Sequence, residues 1–141
     1  MAFDPTLPAT GVTKFGDLYA ILRANFVGLG TPEAWTDIGS GGSSWGTDWV
    51  NANAEYPAGF MKDPFGFVHL RGVAHNDGNT NYPITLPSGF FPEQQVTFLA
   101  GYGSDSVYMF AIYTDGTTFC GAGFGAYIYL DGITFKAAAV V

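Results

Sequence analysis

Two hydrophobic periods run through this chain and divide it. Over residues 14–29 the apolar positions are Phe15, Leu18, Tyr19, Ile21, Leu22, Phe26, Val27 and Leu29. Phe15, Tyr19, Leu22, Phe26 and Leu29 are spaced alternately by four and three, which is the seam of a two-heptad amphipathic helix. Thr13 supplies an N-cap, Asp17 complements the helix dipole, and Gly28, Gly30 and Pro32 end the pattern. Further on, the period is two. Over residues 65–73, Phe65, Phe67, His69, Arg71 and Val73 fall on one face of an extended strand and Val68 and Leu70 on the other.

The polar run 75–81 is turn chemistry, since Asn, Asp and Gly tolerate positive φ and bond their own backbone. Residues 82–86 restart the β pattern, and Pro83 confines that restart to a strand entry or an edge. Residues 86–89 (Leu-Pro-Ser-Gly) form a turn with proline at its second position. Strands follow at 94–100, 106–114, 118–125, 126–130 and 133–136. The strand at 106–114 is apolar on both faces, as expected of a central strand covered twice. Asp115-Gly116 is the strongest hairpin signal, and Asp131-Gly132 turns the chain into its closing strand, with Ile133 and Phe135 on one face.

This spacing predicts an all-β fold, an antiparallel β-sandwich or jelly-roll-like domain preceded by one short amphipathic N-terminal helix. The Gly/Ser-rich run 39–46 reads as a linker between an N-terminal arm and helix (1–38) and the β-domain (47–141). The helix has two open uses. It packs on its own sandwich, or it bundles with copies from sister chains through the Phe15, Tyr19, Leu22, Phe26 and Leu29 seam, since two heptads are marginal alone.

Four blocks carry a resemblance. They are Lys62-Asp63-Pro64-Phe65-Gly66 running on to Val68, Leu70, Arg71 and Gly72; Thr85-Leu86-Pro87-Ser88-Gly89-Phe90-Phe91-Pro92; Asp115-Gly116; and Leu130-Asp131-Gly132-Ile133 closing on Phe135. In this order they resemble a C-terminal β-domain found in tail-fibre, tailspike and other virion-surface proteins of tailed bacteriophages. The resemblance covers residues 45–137, about two thirds of the chain. Phe90-Phe91 stands where relatives carry an aromatic-basic pair before the proline. What the resemblance implies is a structural protein of a phage virion, assembled in the host cytoplasm among other capsid or tail proteins. A fibre, spike tip or decoration component fits, and the expected form is a homotrimer.

Composition sharpens this. The chain is 48% hydrophobic and 17% aromatic but only 12% charged, about half the usual ~25%. A monomer of this mass would expose roughly 7,000 Å². So few charges dress that area thinly, which points to cover by copies of the chain; a monomer with a Gly/Ser/Thr/Asn-rich surface is the competing reading. The net charge is −7 and the five basic residues are scattered, which leaves nucleic-acid binding without an electrostatic footing. Cys120 is the only cysteine, so an intramolecular disulfide and a cysteine-based zinc site are excluded. The opening residues lack a signal peptide's basic and apolar regions, no apolar run approaches the ~20 residues of a membrane span, and the expected setting is a reducing cytosol.

Candidate chemistry is sparse. Gly42-Ser43-Ser44-Trp45-Gly46 formally matches a nucleophile elbow, but the elbow needs a strand before it, a helix after it and a parallel sheet. His69 and His75 lie six apart in extended chain, too far for a shared metal or an acid–base pair, and the 76–81 loop lacks the alternating acids of a calcium loop. Asp115 and Asp131 are committed to turns, and nothing pairs Asp48, Glu55 or Asp63 for glycoside hydrolysis. The expectation is no enzyme, no cofactor and no metal. The alternative function is a module for host-surface carbohydrate. Trp45, Asp48, Trp49, Asn51 and Tyr56 are the densest mixture of rings that stack on sugars and groups that bond their hydroxyls. Against this, both tryptophans also suit a core or a subunit interface.

Overall fold

The computed structural model describes residues 20, 22, 30, 32–102, 106–121 and 125–139. The chain divides into two compact units, Met1–Thr31 and Pro32–Val141. In the first, Ala20 and Leu22 are helical and exposed; the rest of the expected seam lies outside the described residues.

The second unit is all-β and antiparallel. Its strands in chain order are β1 (Thr36–Asp37), β2 (Ser44–Trp45), β3 (Trp49–Asn51), β4 (Gly59–Lys62), β5 (Phe67–Arg71) and β6 (Val73–Asn76). Then come β7 (Ile84–Thr85), β8 (Val96–Tyr102), β9 (Ser106–Ile112), β10 (Thr118–Cys120), β11 (Tyr127–Tyr129) and β12 (Thr134–Lys136). A four-stranded sheet has the order β1-β4-β5-β12, and a six-stranded sheet the order β10-β9-β8-β11-β6-β3. The pair β2-β7 stands apart as a two-stranded ribbon.

The long strand expected at 65–73 is two strands, because Gly72 hands the chain from the four-stranded sheet to the six-stranded one. Its φ is +83°, and a Cβ there would stand 2.6 Å from the Ala58 Cα. Its N–H donates to Asp131 Oδ1 at 3.1 Å, and its carbonyl accepts the Leu130 N–H at 2.9 Å. Alternation survives the handover: Val68, Leu70, Ala74 and Asn76 are buried, whereas the odd-numbered positions between them are not. The core therefore takes the Val68–Leu70 face. Phe135 of β12 pairs opposite Val68 and is 4% exposed, so the closing strand belongs to the fold as expected.

The two large sheets share one core. The four-stranded sheet contributes Phe60, Val68, Leu70 and Phe135, and the six-stranded sheet contributes Trp49, Ala74, Ala100, Phe110, Ile112 and Ile128. Burying a Phe, Ile or Leu side chain is worth ~1.5–3 kcal/mol each, which is what holds the layers together. The turn at 86–92 joins the first and third sequence blocks and the residue that follows β12. Lys62 Nζ donates to the Gly89 carbonyl at 3.1 Å, Leu86 N–H donates to the Gly116 carbonyl at 2.9 Å, and Pro92 bridges to Ala137. The tight turn runs from Pro87 to Phe90, one residue later than the proline placement suggests, with Phe90 N–H donating to the Pro87 carbonyl.

Two expectations are corrected here. Residues 39–46 are not a linker: the second unit starts at Pro32, Ser43 is buried, and β2 pairs with β7. Gly46 is a packing glycine, since a Cβ there would overlap the Tyr82 carbonyl oxygen. Strand β9 is covered on both faces only at its end, where Phe110, Ala111 and Ile112 are all buried. Over its first half the odd-numbered face is open, with Val107 63% exposed and Met109 48%.

Candidate functional site

The outer face of the four-stranded sheet carries a polar network built across Gly59. Residues Asp37, Gly59 and Arg71 stand side by side on β1, β4 and β5. Because residue 59 has no side chain, Arg71 lies across it, with Nε 3.3 Å from where a Cβ would stand. Its Nη2 reaches Asp37 Oδ1 at 3.4 Å. The Trp35 ring centroid is 4.6 Å from the Arg71 guanidinium carbon and that of Tyr56 is 5.8 Å away, both within cation–π reach. Tyr56 Oη donates to Asp131 Oδ1 at 3.0 Å. That carboxylate is the first cause holding the Tyr56 hydroxyl above its ordinary pKa; partial desolvation and the Asp131 charge add to it, and Arg71 opposes them. Trp35 is 39% exposed and Tyr56 46%.

A second row on the same face joins Asp63, His69 and Thr134. His69 Nε2 bonds Asp63 Oδ2 and His69 Nδ1 bonds Thr134 Oγ1, both at 3.0 Å. His75 lies in the other sheet, 2.8 Å from its own partner Asp77, so the two histidines form no pair.

Of the five residues expected to hold a sugar, only Tyr56 reaches this patch. Trp49 occupies an inward position of β3, is 2% exposed and donates its indole N–H to the Thr80 carbonyl, so no ligand can stack on it. Trp45 is partly buried against the core. Asn51 is spent on the backbone, accepting the Ala58 N–H and donating to the Asn53 carbonyl. Asp48 is exposed in a turn with φ +68° and crowds Gly78. The expected five-residue site loses Trp49 to β3's register, which turns that ring inward. Sequence reading missed Trp35, Asp37, Arg71 and Asp131. The usable signal was Arg71, a charge on the outward face of a strand; what drew it to Asp37 was the bare Gly59, which no pattern reveals.

The Ser44 of the elbow-like motif stands on β2, is exposed, and is followed by Gly46 and a turn rather than a helix. Ser43 Oγ donates to the Ser40 carbonyl at 2.6 Å and accepts the Gly39 N–H, which makes it a turn brace.

Two half-exposed rings around one guanidinium, with Asp37 bonded to that guanidinium and Asp131 to the Tyr56 hydroxyl, can stack on the C–H face of a pyranose and bond its hydroxyls. The arrangement supplies binding groups and positions none of them as a nucleophile with its base.

No protein-family model matches the chain, and no curated protein matches it. Among solved structures it is similar to the receptor binding protein of Listeria phage PSA, with a TM-score of 0.68 at 17% identity, over 98% of this chain and 83% of that one. At that identity the likeness shows a shared fold.

Proposed function

We propose that this chain is a surface-displayed component of a tailed-phage virion that binds carbohydrate on the host cell through the Trp35–Arg71–Tyr56 patch. The observation that carries the reading is the fold, which matches a phage receptor binding protein over nearly the whole chain. The patch adds a place for the contact, because it sets exposed rings beside hydrogen-bonding groups. The reading assigns no reaction to the chain. Placement on a tail fibre, a spike tip or the head belongs to the same proposal, and immunogold labelling of purified particles distinguishes these.

The test is binding of the full chain to cell walls of a susceptible host and to a glycan array. Trp35→Ala should weaken binding about 5-fold or more, taking as a guide the ~1–3 kcal/mol by which one aromatic ring holds a stacked nucleobase. Circular dichroism should be unchanged, since Trp35 is outside the core. Binding unaffected by Trp35→Ala and by Tyr56→Ala would remove the patch from the proposal. Particles that lack the protein would end the proposal as a whole.

A further inference from the structure

The outer face of the six-stranded sheet is the opposite of the network just described. Val50, Leu99, Val107, Met109, Tyr127 and Tyr129 are each between 41% and 77% exposed. Strand register places them on one side of the sheet. Leu99 pairs with Met109, Gly101 with Val107, and His75 with both Tyr127 and Val50. The Tyr129 ring leans over Gly101, 3.3 Å from where a Cβ would stand, so the patch continues from β8 to β11. None of the described positions on that face is Lys, Arg, Asp or Glu, and its histidine is paired with Asp77.

We infer that this face is the contact between copies of the chain. Two properties select a second copy as the occupant. The first is area: the six side chains expose on the order of 600 Å², the top of the ~300–600 Å² range for the largest patch on a monomer, and most of the ~800 Å² per partner in a standard interface. The second is charge. Copies with a net charge of −7 repel one another over most of their surface. In a contact about a two-fold axis the same patch is used on both copies, so any charge on the face would be buried against the partner's identical patch. Among the described residues the strand positions of this face carry no charge, and the Asp77 carboxylate beside it is bonded to His75. The inference does not depend on the receptor reading and relocates the expected self-association from the N-terminal seam to the sheet.

Light scattering of the full chain at micromolar concentration should return a multiple of 15.0 kDa. The double variant Leu99→Asp/Met109→Asp should return a monomer, with self-association weakened at least 100-fold and its β circular dichroism and cooperative melt retained. Both side chains are exposed, so folding does not need them. Leu22→Asp, on the N-terminal seam, should leave the multimer intact. A monomeric wild type would overturn the inference, whether the face is then bare or covered by residues 1–31 or by another molecule. A multimer that survives the double variant, or is dissociated by Leu22→Asp alone, would equally overturn it.

Discussion

Asp63 accepts the N–H groups of Phe65 and Phe67 on one carboxylate oxygen, at 2.9 Å each, and is bonded to His69 through the other. The turn into β5 is thereby closed by a side chain, which explains an acid beside Pro64 in a chain with few acids. The His69 bond is the first cause of a carboxyl pKa below the ordinary 3.8, and the two backbone bonds add to it, while partial desolvation opposes them. Asp115 is lowered in the same sense by its bonds from the Thr117 hydroxyl and N–H. The sign follows from linkage. A depressed folded-state pKa contributes stability that is complete above the unfolded value near 3.8 and is lost as pH falls through the folded value. Asp63→Asn keeps the acceptor oxygen for the turn but removes the titration. Its urea midpoint should fall less steeply than the wild type's as the pH is taken below 4, and adding Asp115→Asn should flatten that acid limb further. Parallel limbs in wild type and variant would show that neither carboxylate is held in its ionised form by the fold.

At the scale of elements, the decisive residue is Gly72. It must bend β5 into β6 with φ at +83°, while leaving room for the Ala58 backbone on one side and receiving the Asp131 carboxylate on the other. Gly132 has nearly the same φ, +84°, but nothing within 4 Å of a would-be Cβ. The pair separates backbone strain from close packing. Gly132→Ala should cost ~1–2 kcal/mol for the left-handed conformation alone, and Gly72→Ala about 3 kcal/mol or more, because the Ala58 backbone has to move. Equal shifts in the urea midpoint for the two variants would place the handover elsewhere. The same residue shows what the sequence could tell. Period-two alternation from Phe65 to Val73 was legible, and so were the Asp-Gly turns and the burial of Phe135. That one alternating run serves two sheets was not, since a sheet switch leaves the period unbroken and Gly72 looks like any strand glycine. His75 and Asn76, read as the start of a turn, belong to β6. Residues 39–46 misled for a related reason. Glycine and serine were read as slack, whereas Gly46 is needed because the Tyr82 carbonyl fills the space of a side chain. The candidate site was least legible. It joins loop residues 35 and 56 to a strand arginine, and only the folded sheet makes them neighbours.

The Pro32–Val141 unit presents two outer faces of contrasting chemistry on one core. The four-stranded sheet shows ion pairs, a histidine and half-exposed rings. The six-stranded sheet shows Leu99, Val107, Met109 and two tyrosines with no described charge among them. That contrast resolves the compositional puzzle of a chain with five basic and twelve acidic residues in 141. Among the described residues the charges are not spread evenly; the strand positions of one face do without them. Salt should then act on the two faces differently. Self-association through the apolar face is opposed only by the mutual repulsion of acidic copies. Raising ionic strength from 0.1 M to 1 M shortens the screening length from ~10 Å to ~3 Å and removes that repulsion. The dissociation constant between copies should therefore fall several-fold across this range in sedimentation-equilibrium measurements. Binding of a neutral sugar at the Trp35–Arg71–Tyr56 patch makes no net ion pair, so its affinity should change less than about two-fold over the same range. If salt instead weakens self-association, ion pairs make the contact. The interface would then have to include the charged four-stranded face, and the apolar sheet would be left without the role inferred for it.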